Sequence, residues 1–317
     1  MSSGAAGVSL PLSSSIRKGA DAVNTTAIVA VLSDVHSNFH ALEACVRHAL
    51  AQGASHFLFL GDYVSQCPDT RATLDLIYDL RRRYPCQFIR GNREEYMLEY
   101  RAAGGVGWYD GSASGCLLQT YEQLLEKDFD FFNSLLPCGV LSLPGLPTVR
   151  YCHGSPASTR EGLFPDEDIS RRALFDISEP LLLCGHTHIQ GRLECEGKTI
   201  VNPGSVGLPF CLGGGKAQYA LLNGEGSAWH IELFQISYDL QATLKAFDES
   251  GLSRRAPAWV QLTKHALRTG EDYTTAVLLR TRALCEASGD IASWPRISET
   301  YWNQALTEFG LPLSTVS

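Results

Sequence analysis

The sequence has no apolar run of 18 or more residues, so it predicts no membrane-spanning helix. It also has no block of basic residues, and its formal net charge is −8. We therefore expect no membrane partner, and we expect nucleic acid only as a small nucleotide substrate. The 317 residues are 44% hydrophobic and 19% charged, which excludes a disordered chain and allows a large core.

The ten cysteines include no CxxC pair and are dispersed along the chain. Such a number could form disulfides in a short secreted chain, but several cysteines lie in apolar runs such as LLLC at 181–184. We therefore expect reduced, buried thiols in a cytoplasmic protein. Residues 1–26 lack the apolar core of a signal peptide and are predicted to form a flexible leader.

Apolar, β-branched runs alternate with helical patterns from Ala27 onward, and this alternation predicts an α/β fold with a parallel core. Helices are predicted after the first strand, over 69–84 and over 166–177. Strands are predicted at nine places, which are 27–33, 56–60, 86–90, 148–152, 180–184, 191–195, 198–201, 217–222 and 227–234.

Two further segments differ in character from this alternating core. Residues 94–136 have a helical pattern, but the glycine-rich stretch 104–115 interrupts it and indicates a mobile surface loop or a lid. From residue 237 onward leucines recur at helical spacing, which predicts a helical C-terminal extension over 237–317. The chain is thus predicted to have a leader, a catalytic domain over 27–236 and this extension.

Polar side chains follow five of the predicted strands directly. Because ligands bind beyond the carboxyl ends of strands in open α/β sheets, we expect these side chains to share one site. Imidazoles suit Zn, Fe, Ni and Co, whereas carboxylates and an amide oxygen suit Mn, so the set predicts two divalent metal ions. The five segments are Asp34-Val35-His36, Gly61-Asp62, Gly91-Asn92-Arg93-Glu94, His153-Gly154 and Gly185-His186-Thr187-His188.

Each of these segments has a simpler interpretation when it is taken alone. A Gly-Asp or Gly-Asn pair after a strand is commonly a turn, and His153 could be a capped loop histidine. His40 could act beside the metals on a leaving group, or it could cap or pack the first helix. Arg93 could hold a phosphate with its planar guanidinium, or it could pair with Glu94 or Glu95.

The order DxH, GD, GN, H and GHxH resembles the calcineurin-like metallophosphoesterase superfamily. The segments SDVHSNFHAL, FLGDYV, IRGNREE, CHGSP, LCGHTHIQ and VNPGSVGLP resemble its small bacterial and archaeal phosphodiesterase-like branch. The resemblance covers about residues 27–236. It implies a four-layer αββα sandwich of two packed mixed β-sheets, here followed by the helical extension.

The resemblance also implies a role for each polar residue. One metal would be held by Asp34, His36 and His188, and the second metal by Asn92, His153 and His186. Asp62 would bridge the two metals, because its carboxylate has two oxygens. Catalytic roles are expected for Asp62, Asn92, Arg93 and His40.

One position departs from the pattern of many relatives, which have histidine where this chain has Arg93. An arginine cannot donate a proton to a leaving group at neutral pH, because its pKa exceeds about 12. It can still hold phosphate oxygens as a fixed charge. This departure therefore favours esters whose leaving groups need little protonation, such as aryl diesters, or substrates that carry an extra phosphate for Arg93 to hold.

The predicted function is that of a hydrolase of phosphate esters, in which a hydroxide bridging two metal ions attacks phosphorus in line. The substrate would be a phosphodiester or a small phosphorylated molecule, and manganese is among the candidate ions. The alternatives are a phosphomonoesterase, a protein phosphatase, or a non-catalytic scaffold with the same fold. The apolar positions of the tail could form a homodimer face or pack on the sandwich.

Overall fold

The computed structural model describes residues 27–165 and 167–313, so the predicted leader lies outside the described residues. Within these residues the strands are β1 Ile28–Leu32, β2 His56–Phe59, β3 Cys86–Phe88, β4 Cys138–Leu141, β5 Val149–Cys152, β6 Leu181–Leu183, β7 Gly191–Cys195, β8 Lys198–Asn202, β9 Lys216–Glu225 and β10 Ala228–Ser237. The helices are α1 Phe39–Ala51, α2 Thr70–Arg83, α3 Asn92–Ala102, α4 Gly115–Gln123, α5 Glu126–Ser134, α6 Asp168–Phe175, α7 Leu240–Glu249, α8 Leu252–Arg255, α9 Pro257–Thr269, α10 Thr274–Ala287 and α11 Glu299–Glu308.

The strands form two mixed five-stranded sheets, as the resemblance predicts. The first sheet has the order β10-β9-β1-β2-β3, in which β1, β2 and β3 are parallel and β9 and β10 are antiparallel. The second sheet has the order β4-β5-β6-β8-β7, in which β5, β6 and β8 are parallel. Each sheet therefore has a parallel centre, and the loops that follow its strands leave from the same edge.

The two sheets pack face to face, and helices cover their outer faces. Alternate residues of β1 point to opposite sides, so Val29 and Val31 join the core between the sheets, whereas Ala30 and Leu32 face the helices. Helices α1, α2, α3 and α5 contribute to the core on the first sheet, and α6 packs on the second. The predicted four-layer sandwich is confirmed.

The chain after β10 is helical, which confirms the predicted C-terminal helical extension. Helices α7–α9 and α9–α11 build two further apolar cores, the second of them around the fully buried Trp302. Thr243 of α7 donates a hydrogen bond to Asn38 Oδ1 at 3.1 Å. The same amide oxygen also caps α1, as the sequence allows, because it accepts from the Ala41 N–H. The extension thus contacts the loop that precedes the first helix.

Two local features differ from the sequence-based expectation. Strand β4 was not predicted, because its residues Cys138–Leu141 carry no clear alternation and pair with β5 only at the sheet edge. The second feature is the position of the glycine-rich segment 104–115, whose contacts the sequence did not indicate; that it is a mobile surface loop or a lid stays a prediction. Its Gly111 N–H donates to the Arg255 carbonyl oxygen at 2.6 Å, and Ser112 donates to the carboxylate of Glu299.

The described residues also bear on two expectations from composition. All ten cysteines are free, and six of them are buried, as expected for reduced thiols in a core. No helix in the described part of the chain is both long and apolar enough to cross a membrane.

Candidate metal centre

The loops after β1, β2, β3, β5 and β6 carry all of the predicted metal ligands. Backbone hydrogen bonds join the first two loops, because the N–H groups of Asp34 and His36 donate to the carbonyl oxygens of Gly61 and Asp62 at 3.1 and 3.0 Å. The second sheet contributes its loops from the opposite side of the sandwich. The carboxyl ends of both sheets thereby meet at one buried cluster.

The first group of the cluster consists of Asp34, His36 and His188. The Nε2 atom of His188 lies 3.3 Å from Asp34 Oδ1 and 2.9 Å from His36 Nε2. His36 Nε2 is also 3.7 Å from the same carboxylate oxygen. All three residues are buried, and their ligand atoms are close enough to hold one metal ion.

The second group contains Asp34, Asp62 and His153, and it is also compact enough to hold a metal ion. His153 Nε2 lies 3.5 Å from Asp62 Oδ1 and 3.1 Å from the amide oxygen of Asn92. Asp34 belongs to both groups. The other oxygen of Asp62 faces the first group, at 3.7 Å from His36 Nε2.

Backbone carbonyls determine which histidine nitrogens face the cluster. His153 Nδ1 donates to the Leu60 carbonyl at 2.8 Å, and His188 Nδ1 donates to the Leu208 carbonyl at 2.7 Å. When these rings are neutral, each Nε2 atom therefore presents a lone pair. These lone pairs converge with carboxylate oxygens, including the buried Asp34 Oδ1, which has no hydrogen-bond partner. A buried acceptor is unfavourable unless a donor, a water molecule or a metal ion satisfies it. A bound cation would satisfy this whole set of acceptors at once.

Burial and the opposite charges packed beside each group set the pKa values in the cluster. Burial would raise the pKa of Asp34, but the imidazoles of His188 and His153 outweigh it and hold that pKa well below the usual range. Burial lowers the pKa of His153, but Asp62 and Asp34 outweigh it and raise that pKa to about 10. The carboxylates therefore stay charged and attract positive charge to the site.

Strained backbone conformations place the ligand side chains. Five of the seven predicted ligands have a positive φ, namely Asp34, His36, Asp62, His186 and His188, with values between 51° and 67°. This conformation is uncommon for residues other than glycine, and it persists where the surrounding structure holds it. Backbone strain of this kind is typical of functional sites, where the position of a side chain matters more than the stability of the local turn.

Glycine precedes three of the ligands, and at Gly91 and Gly185 a side chain would collide with the carboxylates or their partners. A Cβ at Gly185 would lie 2.0 Å from Ser33 Oγ and 2.7 Å from Asp34 Oδ2. A Cβ at Gly91 would lie 2.2 Å from Asp62 Oδ1. The Gly-Asn and Gly-His pairs therefore reflect close packing against the carboxylates as well as turn formation.

Several residues that support the ligands were not predicted from the sequence. Ser33 donates to Asp34 Oδ2 at 2.5 Å. Glu94 is fully buried and accepts N–H hydrogen bonds from Asp62, Tyr63 and Gly91 at 2.8 to 2.9 Å. Burial and the neighbouring Asp62 raise the Glu94 pKa to about 7. The only sequence signal was the adjacency of these residues to the motifs.

The NPGS segment at 202–205 connects two of the loops that carry ligands. Asn202 donates to the Gly185 carbonyl and to Thr187 Oγ1 at 2.9 and 3.0 Å. Ser205 Oγ donates to the Asp34 carbonyl at 2.7 Å. The segment therefore ties the loop of His186 and His188 to the loop of Asp34.

Three predicted site residues lie at the margin of the cluster or away from it. His186 is partly exposed, and its ring centroid is 5.2 Å from that of His153, outside both compact groups. Arg93 has its Nε atom 3.8 Å from Asp62 Oδ2. His40 lies against Phe39 in the first turn of α1 and is not part of the cavity wall described next.

A cavity of about 940 Å³ opens onto the cluster. Its wall includes Asp62, Asn92, Arg93, His186 and His188 from the metal centre. Most of the remaining wall comes from α3, the glycine-rich loop and the C-terminal helices, with further residues from α4 and from the loops after β2 and β8. Ligand sites are typically cavities of this size, so the cluster has room for a substrate beside it.

Two packed mixed sheets with carboxylates and imidazoles gathered at their strand ends are the architecture of the metal-dependent phosphoesterases. The chain belongs to the calcineurin-like phosphoesterase superfamily, because the model of that family's domain matches residues 28–226. An uncharacterized protein of Methanocaldococcus jannaschii is 27% identical over an alignment of 252 residues, and the match covers 74% of this chain and 95% of the relative.

Solved structures agree with this fold. A hypothetical protein from Pyrococcus horikoshii has a TM-score of 0.66 at 20% identity, and the match covers 78% of this chain and 99% of that protein. A metallophosphoesterase from Sphaerobacter thermophilus has a TM-score of 0.56 at 21% identity, with coverages of 74% and 99%. At these identities the likeness shows the fold alone.

Proposed function

We propose that the protein hydrolyses a phosphodiester or a small phosphorylated molecule with two divalent metal ions. The observation that carries the proposal is the convergence of the buried ligand atoms of Asp34, Asp62, Asn92, His153 and His188 on one small volume beside a cavity. Among the described residues no donor satisfies Asp34 Oδ1 there. Family membership supports the ester-cleaving chemistry but does not identify the substrate.

The proposed ligands are divided as the family pattern implies. Asp34, His36 and His188 hold one ion, and their compact arrangement supports this assignment. Asn92 and His153 hold the second ion together with His186. Asp62 would bridge the two ions. Its two oxygens support this role, because Oδ2 is 3.7 Å from His36 Nε2 and Oδ1 is 3.5 Å from His153 Nε2.

Divalent ions bound by these residues supply a water of lowered pKa and neutralise charge on the phosphoryl group. Manganese is our first candidate, with Fe, Zn, Ni and Co as the others. The protein's own contribution begins with Arg93, whose guanidinium lies at the cavity wall and holds phosphate oxygens as a fixed charge. Asn92, which lines the cavity, would act through the second ion, because its amide oxygen is 3.1 Å from His153 Nε2.

The alternative use of Arg93 as an ion-pair partner of Glu94 or Glu95 finds little support. Glu94 accepts three backbone N–H groups, and Glu95 accepts from Thr159 and lies 3.6 Å from both Arg90 and Arg160. Among the described residues the buried Nε of Arg93 has no hydrogen-bond partner, and its ion-pair contact is with Asp62 Oδ2 at 3.8 Å. Arg93 is therefore held beside the metal centre and not by Glu94 or Glu95, and we propose that it also contacts the substrate there.

The test is a panel of phosphomonoesters, phosphodiesters and dinucleotides assayed after reconstitution with each candidate metal. We expect two bound ions per chain by elemental analysis and the highest kcat/KM on an aryl phosphodiester. The control is the Asp34→Asn, His153→Gln double variant, which changes one ligand of the first group and two of the second. A wild-type protein that binds no metal and cleaves no ester would show that the fold serves here as a scaffold.

A further inference from the structure

The cavity beside the metal centre has an unusually aromatic wall. The aromatic residues that line it come from α3, the glycine-rich loop, the loop after β8, α9 and the segment before α11. They are Tyr96, Tyr100, Trp108, Phe210, Trp259 and Trp294. Trp108, Trp259 and Trp294 lie outside the strand-end motifs. The glycine-rich loop and the helical extension therefore supply this part of the wall.

Contacts within the wall hold several of these rings in place. Trp108 stacks on Tyr100 with ring centroids 3.9 Å apart and an angle of 3°. Phe210 stacks on His188 with centroids 4.7 Å apart. The indole N–H of Trp259 donates to Gln66 Oε1. Rings that are already oriented can stack on a ligand with little further loss of side-chain entropy.

The charge of the wall limits what can occupy the cavity. Among the described residues that line it, Arg93 is the only arginine or lysine, and it lies at the end nearest the metal centre. The acids Glu99 and Asp272 also line the cavity. Additional phosphates far from the metal centre would therefore meet negative and apolar groups. The wall suits a ligand with one phosphate and an uncharged organic part.

Two buried polar atoms of wall residues, Arg93 Nε and Ser65 Oγ, have no hydrogen-bond partner among the described residues. Ser65 is 1% exposed, its Oγ accepts and donates no hydrogen bond, and the residue lines the cavity. It lies three residues after Asp62, with a positive φ of 75°. A buried hydroxyl without a partner is costly unless a ligand or water binds it. Ser65 is thus a polar residue of the wall whose hydroxyl is free to bind a ligand that reaches it.

We propose that this cavity binds an uncharged, planar aromatic group of the substrate, of aryl to nucleoside size, and that the substrate carries a single phosphate at the metal centre. The proposal rests on the phosphoesterase function proposed above and specifies its substrate class. Trp259 and Trp294 stack on the aromatic group, and Ser65 hydrogen-bonds a polar atom at its edge. Stacking of a base on an aromatic side chain changes affinity by about 5- to 150-fold.

The experiment measures binding without turnover. Phenylphosphonate, 1-naphthylphosphonate, cyclohexylphosphonate and methylphosphonate share the group that meets the metals and differ only in the organic part. Their dissociation constants are measured by isothermal titration calorimetry on the metal-reconstituted full chain. We expect phenylphosphonate to bind at least about 5-fold more tightly than cyclohexylphosphonate, and 1-naphthylphosphonate more tightly still. Equal affinities of the phenyl and cyclohexyl probes would overturn the proposal.

Variants of the cavity tryptophans test whether these residues cause the preference for phenylphosphonate over cyclohexylphosphonate. Trp259→Leu should reduce the phenyl-to-cyclohexyl preference about 5-fold or more, and Trp294→Leu, at a residue already 49% exposed, gives a second test with little risk to folding. Trp229→Leu is the matched control, because Trp229 is also partly buried and donates its indole N–H, to the Pro147 carbonyl, but is not part of this cavity. A preference unchanged in both cavity variants would assign these tryptophans to packing alone.

The binding readout separates this proposal from the proposed function. If the wild-type protein cleaves no ester but still prefers aromatic phosphonates through Trp259, the catalytic proposal fails and the aromatic site remains. If it cleaves esters but does not discriminate between the planar and saturated probes, the function holds and the aromatic site is refuted.

Discussion

Replacing Arg93 with alanine should weaken substrate binding while both metal ions remain. The Arg93 side chain is only 19% exposed, lies at the cavity wall, and has its Nε atom 3.8 Å from Asp62 Oδ2. The substitution removes the only arginine or lysine among the described residues of that wall. It removes none of the nitrogen or oxygen atoms that converge in the two metal groups.

The magnitude follows from the kind of contact that is lost. A hydrogen bond to a charged group contributes about 1.5–3 kcal/mol net in proteins. Since about 1.4 kcal/mol corresponds to a factor of ten, kcat/KM should fall about 10- to 100-fold. The loss should be largest for diesters with good leaving groups, because a fixed positive charge holds phosphate oxygens but transfers no proton.

The assay is steady-state kinetics on matched aryl monoesters and diesters, with metal content measured on the same preparations. Arg90→Ala is the control, because Arg90 lies three residues away, pairs with Glu95 and is not part of the cavity wall. An Arg93→Ala variant that matches wild type on every substrate would refute the reasoning and leave Arg93 as a structural residue near Asp62.

Three further predictions concern the centre itself. Asp62→Asn should lower metal content and nearly abolish turnover, because it removes a charge that faces both groups; full stoichiometry by elemental analysis would exclude a bridging role. Gly185→Ala should cost about 1–3 kcal/mol of unfolding free energy and weaken metal binding, because the new Cβ would displace Ser33 and Asp34; calorimetry with and without metal tests this. Chelation should lower the Tm, because bound ions at 100 times their Kd stabilise by about 2.7 kcal/mol, and an unchanged Tm in EDTA would contradict the site.

The core of the fold was predictable because its strands are buried on both faces. Runs such as AIVAVLS and HFLFL read as strands without any tertiary information, and β1 and β2 form there. Edge strand β4 was missed because its residues are stabilised mainly by pairing with β5, a long-range contact that local composition does not encode.

The ligand residues were predictable for a related reason. Parallel strands place their following loops at one edge, so acids and histidines directly after strands are expected to meet there. The sequence could not show that Asp34 takes part in both compact groups, or that His186 lies outside them. These distinctions depend on how the two sheets face one another.

The sequence by itself determined the α/β sandwich, its superfamily and the chemical types at the strand ends, because these depend on local hydrophobic patterns and on motif order. Only the tertiary structure decided how those ends face each other and what surrounds them. Ser33 and Glu94 support the ligands through contacts across loops. Trp108 and Trp259 line one cavity although 151 positions separate them, because the glycine-rich loop is hydrogen-bonded to the C-terminal helices. The substrate cavity is therefore a product of long-range packing, which no local pattern in the chain specifies.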